Sequence, residues 1–236
     1  MTPTPMGLPE LANFSFWLAT AIMLASTVFF FVERNDVSGK WKTSLTVAGL
    51  VTGIAFWHYL RMSDMNAAGE ATTVYRYVDW FLTVPLQFLE FYFILAAVSR
   101  VSSGFFWKLL IASVVMLGAG YVGETALYDP LLSFVVGMLA WIYILYLIWF
   151  GQGVKAKSAS MNASAIKAYN AIRYIVTFGW AIYPIGYAAG VLVDSVDPGS
   201  LNLIYNLADI VNKIAFGLFI WHAAYVDSGV VSHQSA

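Results

Sequence analysis

Seven apolar stretches, each about 20 residues or longer, make up most of this chain: 11–32, 43–62, 73–99, 105–126, 131–153, 166–191 and 201–226. Each ends at charges, Gly or Pro. Twenty residues of helix reach about 30 Å, the hydrocarbon thickness of a bilayer. Only helices and closed barrels can cross lipid, because backbone polar groups find no water there. These stretches are too long and too uniformly apolar for barrel strands. The expected fold is an all-α bundle of seven transmembrane helices, with residues 1–236 forming one domain. Short connections should make neighbouring helices antiparallel. Composition supports a membrane class: 60% of residues are hydrophobic and 11% charged, against about 45–50% and about 25% in soluble domains. A net charge of −1 gives no case for nucleic acid. The chain has no cysteine, which excludes disulfides and thiol catalysis. Its three histidines, His58, His222 and His233, argue against a metal site.

Lysine and arginine distribution predicts orientation. Arg34, Lys40, Lys42, Arg100, Lys108, Lys155, Lys157, Lys167 and Arg173 fall on one side, and only Arg61 on the other. The N-terminus is therefore expected outside and the tail VDSGVVSHQSA in the cytoplasm. The segment MTPTPMGLPELANF has no basic residue and does not read as an uncleaved signal peptide. The longest inside loop, GQGVKAKSASMNASA, is rich in small and polar residues.

Two basic residues remain, Arg76 and Lys213, and both lie within apolar stretches. A charge at mid-bilayer costs roughly 3 kcal/mol or more, so an intramembrane lysine marks a functional site by default. Asp209 precedes Lys213 by four residues, which places both on one helix face. A buried ion pair that only fixes packing is the plainer reading of that pair alone. The third stretch adds Arg76, Asp79, Thr83, Gln87 and Glu90, at steps of 3, 4, 4 and 3. That is the spacing of one helix face, and such stripes line ion or proton paths. Interhelical hydrogen bonding could account for Thr83 and Gln87, but poorly for two carboxyls and an arginine. Asp79 and Glu90 stand 11 residues apart, hence about 16 Å along a helix. With Lys213 near mid-membrane, a basic nitrogen has a carboxyl group toward each side, the layout of a proton relay. Pro85 can kink this helix.

At these residues the chain resembles the microbial rhodopsins, and within them the proteorhodopsins. The resemblance rests on RYVDWFLTVPLQFLEFYFIL at 76–95, FGWAIYPIGY at 178–187 and LADIVNKIAFGLFIW at 207–221. FFFVERNDVSGKWKTSLTVAGLVTGIAFWHY at 29–59 adds support. It implies a light-driven outward proton pump, an ion transporter and not an enzyme, in a bacterial inner membrane. Lys213 would bind all-trans retinal as a Schiff base. Asp79 would be the counterion and proton acceptor, Asp209 the second counterion balanced by Arg76, and Glu90 the cytoplasmic proton donor. Trp80, Trp180, Tyr183, Pro184 and Tyr187 match the family's retinal-pocket positions, and Phe134 and Gly137 would line the ring end. Glutamine at 87 goes with blue absorption in this group. His58 matches a histidine that pairs with the counterion and contacts a neighbouring subunit's tryptophan, here Trp17, which implies a pentamer or hexamer. Tyr59 would support the counterion cluster. Leu201 replaces one of the two glutamates that bacteriorhodopsin uses at its exit, leaving Glu124 and Asp194 as candidate outer carboxyls. The alternative is a sensory rhodopsin with a slow photocycle, although sensors commonly lack a carboxyl at the position of Glu90. Chloride and sodium pumps replace the Asp79–Thr83–Glu90 set, which is intact here. A receptor for a soluble ligand would leave Lys213 and Asp209 unexplained.

Overall fold

The computed structural model describes residues 7–96, 101–151 and 163–230. Arg100, Lys155, Lys157, His233, the centre of the long inside loop and the end of the tail lie outside the described residues. Seven long helices are present among the described residues: α1 (Leu8–Glu33), α2 (Gly39–Ala67), α3 (Thr73–Ala96), α4 (Ser103–Glu124), α5 (Pro130–Trp149), α6 (Ala163–Leu192) and α7 (Pro198–Asp227). All are long and apolar enough to span a bilayer.

Their starts follow local chemistry. Asp129 and Asp197 each precede a proline at the first helical position, and their carboxylates accept from Leu132 N at 2.8 Å and Ser200 N at 3.0 Å. Proline suits that position because the N–H it lacks would have no intrahelical partner. Ser102 caps α4 through Gly104 N. The ends depart from the apolar runs. α2 continues to Ala67, past the expected 62, because Ser63, Asp64 and Asn66 extend the helix beyond the apolar run. α5 stops at Trp149, short of 153, where Phe150 N and Gly151 N both bond to Tyr146 O and close the last turn.

The helices pack in chain order around a ring that closes from α7 to α1. α2 also meets α7, and α3 meets α6. This puts the inner faces of α3 and α7 at the centre. Arg76, Asp79, Thr83, Gln87 and Glu90 are all buried, as are Asn206, Asp209, Asn212 and Lys213. Val78 and Leu82, on the other side of α3, are exposed to the lipid-facing surface. Lipid tails are as apolar as leucine, so close packing and polar contacts hold such a bundle together.

The sixth stretch does not form a uniform helix. α6 contains two wide turns, Ile175–Gly179 and Ala188–Leu192, in which Trp180 N reaches Ile175 O and Val193 N reaches Ala188 O, both at 3.0 Å. Pro184 supplies the reason at the first. Its missing N–H leaves Trp180 O free of its usual partner, and Tyr183 N takes that oxygen at 3.2 Å. Gly179 O is released in turn and accepts from Asn212 Nδ2 on α7 at 3.0 Å. Asn212 Oδ1 sits where a side chain at position 179 would have to start, which requires glycine there.

Asp197 lies just outside the spans, and Ser200, through its hydroxyl at 2.6 Å and its amide, holds the Asp197 carboxyl below the usual carboxylate range. A lowered folded value stabilises the fold above the ordinary value of about 3.9, and the gain is lost as pH falls through the lowered value. Asp197→Ala should therefore lower the thermal midpoint near neutral pH. Its difference from the parent should shrink in acid, as thermal melts at several pH values would measure.

Candidate functional site

α7 carries Lys213 one turn beyond Asp209, and α3 presents Asp79 to the same point. Lys213 Nζ donates to Asp79 Oδ2 at 2.5 Å and to Asp209 Oδ2 at 2.6 Å. All three side chains are buried. The two carboxylates differ in their surroundings. Asp209 Oδ1 accepts from Tyr183 OH at 2.6 Å, and Oδ2 from Tyr59 OH at 2.9 Å. Trp80 Nε1 lies 3.3 Å from both oxygens. Asp79 Oδ1 has no hydrogen-bond partner among the described residues. Donors directed at a carboxylate stabilise its anion, so Asp209 is the better-held charge of the two.

Two expected contacts differ. Arg76 does not balance the carboxylates directly. Its Nη2 donates to Asn202 Oδ1 at 3.0 Å, and its Nη1 stands 3.5 Å from Tyr59 OH, so it reaches Asp209 only through that hydroxyl. The expected Tyr59 support is thus a bridge between the two. His58 Nδ1 stands 3.7 Å from Asp79 Oδ1, beyond hydrogen-bond length, and its shorter contact is Ile54 O at 2.8 Å. A carbonyl can only accept, so Nδ1 carries a proton in either charge state of the ring. The pair stays within ion-pair reach, and helix geometry explains its length: Ile54 is one turn before His58 and takes the hydrogen bond of the same nitrogen.

Glu90 lies 11 residues along α3 from Asp79, about 16 Å away by helical rise. It is buried, and neither carboxyl oxygen forms a hydrogen bond among the described residues, although Ser44 of α2 is nearby. A bare carboxylate is costly in such a setting, whereas a carboxylic acid is tolerated. Thr83 Oγ1 donates to Asp79 O at 2.9 Å and does not join the two carboxyls.

A cavity opens at Lys213 and extends between α3, α4, α5 and α6, with about 120 Å³ of space that the centre of a water molecule can reach. Trp80, Gln87, Trp180, Tyr183, Pro184 and Tyr187 line it, as do Phe134 and Gly137. Trp80 meets Tyr183 edge-on at 5.1 Å, and Phe134 stacks on Tyr187 at 5.5 Å. Gln87 Nε2 is buried there without a hydrogen-bond partner among the described residues. Beyond Phe134 and Gly137, the walls from α4 and α5, including Met116, Leu117, Gly120, Met138 and Trp141, were not anticipated from sequence. Those helices carry no polar stripe that would mark an inner face.

Glu124 ends α4 and accepts from Tyr77 OH at 2.8 Å, whereas Asp194 is exposed in a turn with φ of 52°. Leu201 lies against Gly190. His222 is exposed on α7. Trp17 is 61% exposed on α1.

The pattern of the bacteriorhodopsin-like protein family matches residues 10–226. The chain belongs to that family. It is 54% identical over 226 residues to the blue-light absorbing proteorhodopsin of Gamma-proteobacterium Hot 75m4, covering 94% of this chain and 90% of that one. It is 56% identical over 218 residues to the green-light absorbing proteorhodopsin of Gamma-proteobacterium EBAC31A08, covering 91% and 86%. The crystal structure of the blue light-absorbing proteorhodopsin from Med12 superposes with a TM-score of 0.81 at 58% identity, covering 92% of this chain and 98% of that one. The chain is a multi-pass membrane protein of this rhodopsin family.

Proposed function

We propose that this protein is a light-driven outward proton pump, an ion transporter that holds retinal on Lys213 and works in the bacterial inner membrane. The observation that carries the reading is the buried Lys213 nitrogen, 2.5 Å from Asp79 and 2.6 Å from Asp209, at the end of an aromatic-walled cavity. The cavity suits retinal. Its walls are apolar and aromatic, a primary amine stands at one end, and Gln87 Nε2 on its side, unpaired among the described residues, can face a ligand. Trp80, Trp180, Tyr183, Pro184 and Tyr187 would hold the polyene. Retinal joined to Lys213 Nζ would supply light absorption and a displacement of that nitrogen.

The chain's own residues then divide the proton work. In the dark, Asp79 and Asp209 keep the Lys213 nitrogen protonated. Asp79 Oδ2 accepts that proton, because its partner oxygen has no competing donor. Asp209 keeps its charge, since Tyr59, Tyr183 and Trp80 stabilise the anion. Glu90 holds a proton on the opposite side of the nitrogen and returns it to Nζ. The excess of basic residues at one set of loop ends supports an orientation with Asp79 toward the outside and Glu90 toward the cytoplasm. Transport is therefore outward. Arg76 and His58 adjust the charge around Asp79, and Thr83 fixes its backbone.

Trp17 and His58 would join protomers into a pentamer or hexamer. Supporting this, Trp17 is exposed, and His58 sits in a lateral groove with Phe31, Gly53, Trp57 and Leu82. Trp17→Ala should shift the detergent-solubilised particle toward monomer in light scattering; an unchanged mass would remove Trp17 from the interface.

Cells making the protein with retinal, illuminated without buffer, should acidify their medium, and a protonophore should abolish the signal. Light with no pH change would reject the pump. Glu90→Gln should keep the colour and slow recovery of the nitrogen's proton tenfold or more in flash photolysis; normal recovery would remove Glu90 as donor. Bound retinal would shift positive charge away from the nitrogen on excitation, so the Gln87 amide, by favouring the dark distribution, would widen the energy gap. Blue absorption is expected, and Gln87→Leu should move the absorption maximum to longer wavelength.

A further inference from the structure

Arg76 carries a full charge at 1% exposure with no carboxylate within ion-pair distance among the described residues. Its guanidinium lies between the rings of Phe16 on α1 and Tyr205 on α7, 5.6 and 5.4 Å from their centres. Its best hydrogen bond goes to a neutral amide oxygen, Asn202 Oδ1, at 3.0 Å. That oxygen also accepts from Thr72 Oγ1 at 3.2 Å. Asn202 Nδ2 donates to Asn66 Oδ1 at 3.3 Å, and Asn66 Nδ2 donates to Asn13 Oδ1. A line of three asparagines on α7, α2 and α1 thus orients the amide that holds the arginine. On its other side the guanidinium has, among the described residues, only the Tyr59 OH as a hydrogen-bond acceptor, at 3.5 Å, and that hydroxyl donates to Asp209.

We propose that Asn202 is a positioning residue that keeps the Arg76 guanidinium one hydroxyl short of the Asp79–Asp209 pair, and thereby sets how readily Asp79 takes up a proton. An amide oxygen holds a guanidinium by geometry without cancelling its charge. Without that acceptor, the same cation gains most by turning toward the carboxylates. Their other neighbours are Lys213 on α7, His58 and Tyr59 on α2, Tyr183 on α6 and Trp80 on α3. None of these is a hydrogen-bond partner of Asn202, whose partners among the described residues are Thr72, Arg76 and Asn66. This inference rests on the retinal-pigment reading above.

The test is the pH at which the retinal-reconstituted pigment changes colour as Asp79 is protonated. A cation brought closer favours the carboxylate, so Asn202→Leu should lower the midpoint by about one pH unit or more. Asn202→Asp gives Arg76 a charged partner in the same place, which holds it away and cancels its field. That variant should raise the midpoint. The two opposite shifts should both vanish in an Arg76→Gln background. Shifts of the same sign, an unmoved midpoint in both variants, or a shift that survives Arg76→Gln would overturn the proposal. Should Asn202→Leu form no pigment, Asn202→Asp decides alone, and an unraised midpoint overturns it. If the parent protein forms no pigment with retinal, the proposed function itself fails, which separates the two ideas.

Discussion

One ammonium held between two carboxylates in the middle of a membrane protein governs the rest of this structure. Removing three charges from water is expensive, and their mutual attraction offsets the cost only when geometry is close and remaining lone pairs are met. Here Lys213 reaches both aspartates at 2.5 and 2.6 Å, and two tyrosines and a tryptophan crowd Asp209 with donors. Arg76 supplies the fourth buried charge, so the group of four sums to zero. The charges are matched in number but not in surroundings. Asp209 is crowded with donors while Asp79 Oδ1 has no hydrogen-bond partner among the described residues, and the proposed transfer to Asp79 rests on that inequality.

The scaffold follows from the same constraint. Polar groups that would be unwelcome in lipid are gathered on the inner faces of α3 and α7, and the ring of helices closes around them. Because α3 carries Asp79 and Glu90 on one face, a single helix sets the spacing between the two carboxyls on either side of the lysine. The aromatic cavity occupies the space that α4, α5 and α6 leave beside this polar axis.

Much of this was legible in residue order. Arg76, Asp79, Thr83, Gln87 and Glu90 announce an inner face because charge cannot point into lipid, and Asp209 and Lys213 do the same on α7. Other features depend on contacts between distant segments. α4 and α5 are apolar on all sides, so nothing local distinguishes Gly120 or Trp141 from residues facing lipid. His58 and Arg76 were identified, and His58 stands within ion-pair reach of Asp79 as expected, but their hydrogen-bond partners were not foreseen. Ile54 O competes for one, and Asn202 with its asparagine neighbours holds the other. The wide turn before Trp180 needs both Pro184 and an amide from another helix, and the seven-stretch pattern contains no trace of that pairing.

The bond from Asn212 to Gly179 O has a mechanical meaning. Asn212 is the chain neighbour of Lys213, so a displacement of the lysine backbone would reach a wide turn of the adjoining helix through one hydrogen bond. A wide turn tied to the residue beside the buried ammonium, and seated where the two helices touch, is the kind of lever from which a bundle can change which end of its interior admits water.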